Sequence, residues 1–170
     1  LRTKQQMSVT ADSSGLKLSG DEASPGNSEY YGTDSGGTKG FFSLPTTYEE
    51  IIAASGTSVT FDNIPSFKAA LVGFQNVSHN SGSNQTLRIE VSADNGGSWS
   101  SPVVVSSSIS GASGVHHDAI IARAAGGGNV LIVGVGQAGT TGGTAAPGAV
   151  NAIRVSPSGG SFDSGDLSVT

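Results

Sequence analysis

The residues best equipped for chemistry are three histidines, His79, His116 and His117, with Asp118 beside the last two. A pair of imidazoles and a carboxylate can hold a metal ion or move a proton. Neighbouring residues of a strand point to opposite faces, however, so His116 and His117 do not share one ion within a single subunit. One histidine from each of three copies around a threefold axis is the arrangement that would bring them together. The plainer reading is of imidazoles solvated or hydrogen-bonded near a turn, and no metal ligand is assigned. Hydrolysis by paired carboxylates finds equally little support. The thirteen acidic residues sit mostly in turn-like contexts, such as Asp21-Glu22, Asp34, Asp94 and Asp163, and no nucleophile motif accompanies them. The chain is read as having no catalytic residues, no cofactor and no enzymatic activity.

Two motifs test that reading. Gly134-Val135-Gly136-Gln137-Ala138-Gly139 satisfies G-x-G-x-x-G on paper. The dinucleotide fingerprint requires a strand that feeds a helix, and Thr140-Thr141-Gly142-Gly143-Thr144 cannot open one. Ser92-Ala93-Asp94-Asn95-Gly96-Gly97-Ser98-Trp99 fits the Asp-box pattern S-x-D-x-G-x-(S/T)-W. Its chemistry is that of a turn: Asp94 accepts N–H bonds across the loop, Gly96 supplies an unusual φ, and Trp99 packs back on the hairpin. Ser92, Asp94, Gly96 and Trp99 are therefore assigned a structural role. A sialidase would repeat the box and gather an arginine cluster, whereas here one box stands alone and Arg88, Arg123 and Arg154 lie on separate strands.

The elements that position these residues follow from composition. The chain has 170 residues, of which 26 are glycine, and only 12% are charged. Glycine without a triplet period, mixed with Ser, Thr and Asn, writes short strands joined by tight turns. The absence of cysteine removes disulfides and thiolate metal sites. A net charge of -5 argues against nucleic-acid binding. No apolar run reaches the roughly 20 residues that span a bilayer, so no membrane insertion is expected.

Residues 1–14 read as a linker or docking arm, in which Gln5 to Val9 extends or forms a short helix. Residues 15–45 read as a β-hairpin module. Leu16 and Leu18 alternate with Lys17, Asp21 to Ser28 supplies a turn, and Tyr30-Tyr31-Gly32-Thr33 pairs with Thr38 to Pro45 around Asp34-Ser35-Gly36-Gly37. Leu16, Leu18, Tyr30, Tyr31, Phe41 and Phe42 exceed what so small a unit can bury, and are assigned to an assembly interface with other copies or with another subunit. Residues 46–170 read as a β-sandwich of the jelly-roll type. Thr47 to Ala54 is expected to form a helical turn or two. About eight strands follow: Thr57 to Asp62, Phe67 to Val77, Gln85 to Ser92, Pro102 to Ser107, Val115 to Ala124, Asn129 to Gln137, Val150 to Val155 and Asp166 to Thr170. The overall class is all-β. The opening Leu1-Arg2-Thr3 and the strand-like close Leu167-Ser168-Val169-Thr170 lead us to expect part of a longer polypeptide.

The string GLKLSGDEASPGNSEYYGTDSGGTKGFFSLP, Gly15 to Pro45, resembles a module that recurs in tail-fibre and related appendage proteins of tailed bacteriophages, prophages and gene transfer agents. Its Pro-Gly, Tyr-Tyr-Gly-Thr and Gly-Thr-Lys-Gly-Phe elements keep their order and spacing. Phe61-Asp62-Asn63-Ile64-Pro65, the hairpin ending at Trp99 and Asn151-Ala152-Ile153-Arg154-Val155 are similar, more weakly, to C-terminal sandwich domains of phage fibres. The resemblance implies a virion location, synthesis in the bacterial cytoplasm, a homotrimer and contact with other virion proteins. In such a protein the sequons at Asn76 and Asn84 carry no meaning.

The resulting expectation is a fibre or spike component that attaches the particle to the bacterial surface, with polysaccharide as a possible partner. The loops Ser78 to Asn84, Ser110 to Asp118 and Gly139 to Gly148 are the candidate receptor-facing segments, and His79, Asn80, Asn84, His116 and His117 their candidate residues. Aromatic groups for stacking on sugar are scarce there. A head- or baseplate-attached decoration fibre without direct recognition, and a carbohydrate-binding module of a secreted bacterial enzyme, are the alternatives.

Overall fold

Strict alternation of apolar and polar residues in Leu87-Arg88-Ile89-Glu90-Val91 demands a strand with one face in a core, and in the computed structural model all three apolar members are fully buried. The structure describes residues 9–12, 15–18, 29–33, 36–43, 48–111, 114–123, 128–146 and 149–170. Among these residues there is no helix, and every strand pairing is antiparallel. The chain divides into two compact units, Leu1–Thr46 and Thr47–Thr170.

Among its described residues the first unit holds two two-stranded sheets. Strand β1 (Val9–Asp12) pairs with β2 (Gly15–Leu18), so the segment expected to be a linker ends in a strand. Strand β3 (Glu29–Thr33) pairs with β4 (Lys39–Ser43), and the register sets Tyr30 opposite Phe42 and Tyr31 opposite Phe41. Residues Gln5 to Ser8, the Asp21 to Ser28 turn, Asp34-Ser35 and Leu44-Pro45 lie outside the described residues.

The second unit is a two-sheet, β-sandwich-like structure. Its larger sheet has the order β12-β11-β10-β7-β14-β5 and its smaller one β6-β13-β8-β9. The large sheet is built from β5 (Glu50–Ala53), β7 (Ala69–His79), β10 (Val115–Arg123), β11 (Val130–Gly136), β12 (Thr141–Ala145) and β14 (Phe162–Val169). The small sheet comprises β6 (Val59–Phe61), β8 (Leu87–Ser92), β9 (Val103–Val104) and β13 (Ala152–Pro157). Phe74, Ile121 and Leu167 from one sheet and Phe61, Ile89 and Ile153 from the other meet in a continuous core at 0–1% exposure.

The expected helical turn at Thr47 to Ala54 is instead the edge strand β5. Its Ile51 and Ile52 pair with Ser168 and Leu167 of β14, and two adjacent β-branched residues suit a pleated edge better than an isolated turn of helix. Strand β12 falls within the Gly139 to Gly148 segment expected to be a loop. It lacks an apolar alternation because close approach forbids side chains: a Cβ on Gly142 would lie 2.4 Å from the Ile132 carbonyl oxygen, and one on Gly143 would press on Val103 at 3.3 Å. There β12 meets β9 of the other sheet, and Thr141 Oγ1 donates to the Val104 carbonyl at 3.2 Å.

Close approach is tightest at Gly134 of β11, where a Cβ would sit 1.7 Å from the Val105 carbonyl oxygen. Backbone cannot yield as a side chain can, so Gly134→Ala is expected to destabilise the second unit by about 3 kcal/mol or to prevent folding. Urea denaturation followed by tryptophan fluorescence measures it; a variant within about 0.5 kcal/mol of the parent would contradict the packing described.

Candidate functional site

The strands carry the five candidate receptor-facing residues to one end of the second unit. Strand β7 ends at His79, with Asn80 and Asn84 in the loop that follows, and β10 begins beside it with Val115 opposite Val77, so His116 and His117 start from the same end. Asn80, Asn84 and His116 are exposed. His79 and His117 are not: their exposures are 1% and 2%. Both are withdrawn from the receptor-facing set. The alternation along β10 that separates His116 from its neighbour turns His117 into the core.

The two buried imidazoles have a common structural role. His117 Nε2 lies 2.6 Å from the carbonyl oxygen of Val105 and His79 Nε2 lies 3.2 Å from that of Ile109. A carbonyl only accepts, so in each pair the histidine donates from Nε2. The Nδ1 of His79 in turn accepts from Ser81 N at 3.3 Å. Val105 and Ile109 bracket the segment between β9 and β10, and Ile109 makes only an isolated bridge with Gln85. In a stretch that lacks a continuous ladder, His117 thus satisfies the Val105 carbonyl, and His79 adds a second donor to the Ile109 carbonyl, which also accepts from Gln85 N at 2.9 Å. Phe74 meets the His117 ring edge-on, with ring centroids 5.9 Å apart.

Around them lie mainly hydroxyls and amides, most of them partly buried. Gln85 Nε2 donates to Ser81 Oγ at 2.9 Å, Ser158 Oγ donates to Gln85 Oε1 at 2.7 Å, and Asn80 Oδ1 accepts from Ser161 N at 2.9 Å. His116 N donates to Gln137 Oε1 at 2.8 Å. Ser78 Oγ donates to Asp163, whose carboxylate belongs to the same end. Such a surface can exchange hydrogen bonds with a neutral polar partner, though much of its capacity is spent internally. Positions 112–113 and 147–148 of the candidate loops lie outside the described residues. Among the described residues, no three His, Cys, Asp or Glu side chains gather within reach of one ion.

The Asp box caps the opposite end, where β8 finishes. Ser92 Oγ donates to Asp94 Oδ1 at 2.6 Å, Ser98 N reaches the same oxygen at 2.8 Å, and Ser98 Oγ donates to Oδ2 at 2.7 Å. These three bonds, that of Ser92 foremost, hold the Asp94 carboxyl down to about 2. Asn95 and Gly96 both take positive φ, 57° and 91°. The Asn95 amide exchanges bonds with Asn63, and Asn95 N donates to Asn151 Oδ1 at 2.8 Å, tying the turn to the residues that follow β6 and precede β13. Trp99 is half-buried beneath the Arg154 guanidinium, 4.5 Å from the ring centroid, and Arg154 grips Glu90 with bonds of 2.9 and 2.7 Å. The Trp99–Arg154 stack was not anticipated; the cross-strand register that places Arg154 opposite Glu90, one strand from the tryptophan hairpin, creates it. A hollow of about 290 Å³ opens beside the turn, lined by Ala93, Asp94, Ser98, Trp99, Ser100 and Ala146.

Two outcomes are expected. Asp94 is more acidic when folded than its ordinary 3.8, so it contributes stability above that value and loses it as pH falls through about 2. Asp94→Asn should therefore lower stability at neutral pH and flatten its decline between about pH 4 and 2, as read from urea melts across that range. His117→Ala should cost about 3 kcal/mol through a cavity and an orphaned Val105 carbonyl, while His116→Ala stays within about 0.5 kcal/mol.

Comparison with protein-family models, with curated proteins and with solved structures returns no match to this chain.

Proposed function

We propose that the chain is a structural and receptor-binding component of a bacteriophage fibre or spike, assembled as a homotrimer with other virion proteins and attaching the particle to the bacterial host surface. The observation that carries this reading is the register of the first unit. Tyr30 stands opposite Phe42 and Tyr31 opposite Phe41, so the two strands set aromatic residues at two successive register positions. Among the described residues this sheet has two strands, and a sheet that small is marginal in water by itself. Association with other copies supplies the cover, and the Gly15 to Pro45 resemblance supplies the kind of assembly.

The second unit is the part we assign to the host surface. Its exposed Asn80, Asn84 and His116, among serine hydroxyls, suit hydrogen bonding to a neutral polysaccharide. A decoration fibre without direct recognition is the second reading. It is favoured by the internal pairing of Asn80, Ser81, Gln85 and Ser158 described above, which leaves fewer free donors for a ligand.

Sedimentation equilibrium of the full chain is expected to give the mass of three copies. Replacing Tyr31 and Phe41 together by Ser should reduce it to one; a monomeric parent chain would refute assembly through the ribbon. Host-cell pull-down separates the two readings. Recognition predicts that the chain binds cells and that the Asn80→Ala, Asn84→Ala pair weakens binding about tenfold, equivalent to about 1.4 kcal/mol. Decoration predicts no binding to cells by the parent chain.

A further inference from the structure

The second unit has a hollow that the Asp-box turn alone does not make. Ala93, Asp94, Ser98, Trp99 and Ser100 form one wall, and Ala146, which follows β12, forms the other. The space lies where the β12 edge of the large sheet meets the β8–β9 hairpin of the small one. Its walls carry three kinds of group: the indole of Trp99, the methyls of Ala93 and Ala146, and the oxygens of Asp94 and Ser98. Arg154 stacks on the indole yet does not line the hollow, so the ring surface that faces the space is surface the guanidinium leaves uncovered.

Hydrogen-bonding capacity remains there after the turn is made. A carboxylate offers about four lone-pair positions, and Asp94 fills three of them with Ser92 Oγ, Ser98 N and Ser98 Oγ. The fourth belongs to Oδ2. Ser98 Oγ donates to that same oxygen and accepts from no protein group. Among the described residues the Trp99 Nε1–H meets no acceptor. Ser100 differs, because its Oγ accepts from Val91 N and donates to the Ser101 carbonyl, so its capacity is spent.

We infer that this hollow binds one ring of a neutral saccharide, with hydroxyls on Asp94 and Ser98 and the apolar side of the ring against Trp99. As a place for host sugar it rests on the host-surface reading above; as a binding site it stands without it. Charge narrows the ligand. A phosphate or an acidic sugar would meet the Asp94 carboxylate with no Lys or Arg on the walls to offset it. A cation would find the indole already stacked by the Arg154 guanidinium, 4.5 Å from the ring centroid. A neutral hydroxylated ring answers all three kinds of group, since each hydroxyl both donates and accepts and the C–H side packs on aromatic surface. The volume of about 290 Å³ lies at the lower end of small-molecule sites, roughly 300 Å³ upward, which suits one ring rather than an extended chain. Ala93, Asp94, Ser98 and Ala146 are exposed, so neighbouring units of a polysaccharide can leave into solvent.

Trp99 is the chain's single tryptophan, so its fluorescence reports on the hollow directly. The full chain is titrated with the methyl glycosides of glucose, galactose, mannose and N-acetylglucosamine, and with the methyl glycoside of glucuronic acid as the charged control. At least one neutral glycoside is expected to give a saturable change with a dissociation constant on the order of 1 mM, as befits a single ring. The glucuronide is expected to give none. Ala146→Leu and Ala93→Leu fill the space from exposed positions, one on each wall, and each is expected to weaken binding about tenfold while the β-sheet circular-dichroism spectrum is retained. Silence with all four neutral glycosides, a glucuronide that binds as well as its neutral counterpart, or unchanged affinity in both filled variants would each overturn the site. Host-cell pull-down separates this result from the wider reading. A chain that binds a glycoside but no cells keeps the hollow and overturns host attachment; a chain that binds cells while Trp99 stays silent overturns the hollow alone.

Discussion

The architecture of the second unit turns on how closely its two sheets approach along one side. There the Val105 carbonyl, from the segment following the small sheet's edge strand, lies against Gly134 of the large sheet and accepts the 2.6 Å bond from His117 Nε2. An apolar core is non-directional and tolerates sliding; a buried carbonyl with one donor does not. The bond fixes where the sheets meet, and glycine at 134 and 143 makes the distance attainable. His79 adds a longer bond four residues along the same segment, to the Ile109 carbonyl, which also accepts from Gln85 N at 2.9 Å. The loops at that end of the unit therefore hang from a rigid frame, which is the condition for a loop surface to hold a shape a partner can read.

The sequence was most legible where one strand had one solvated face. Leu87, Ile89 and Val91 announce their burial by alternation, and the apolar run Phe67 to Val77 overlaps β7, which lies between β10 and β14. Legibility failed at the edges. Strand β5 is defined by its pairing with β14, which no local pattern reports, and β12 is written in glycine and threonine because its neighbours leave no room for larger groups. The first half of β14 was also hidden. Its register shifts twice between Phe162 and Asp166, and Gly165, at φ 97°, faces Asn76, at φ 53°, so the apolar period breaks at a pair of irregularities that only the fold explains.

The candidate residues divide along the same line. The opposite facing of His116 and His117 follows from strand period alone, but which of the two turns inward depends on register, and a histidine carries no hydrophobic signal to reveal it. The Asp-box turn was readable because its bonds are local: Ser92, Asp94 and Ser98 find one another within seven residues. The Arg154 guanidinium over Trp99 was not, because the partners are distant in sequence and meet through strand pairing.

The Asn95–Gly96 step at the tip of the Asp box bears on chemical ageing. Asparagine before glycine is the dipeptide most prone to deamidation, in which the glycine nitrogen attacks the side-chain carboxamide to close a succinimide ring. Here both partners in that reaction are occupied. The Asn95 carboxamide is held through its oxygen and its nitrogen by Asn63, at 2.7 and 3.0 Å, and Gly96 N is engaged by Ser92 Oγ at 2.9 Å. The bonds that shape the turn also keep the nucleophile away from its target, so the folded chain shelters its own weakest peptide unit, and any opening of this hairpin would start a clock that the closed form holds stopped.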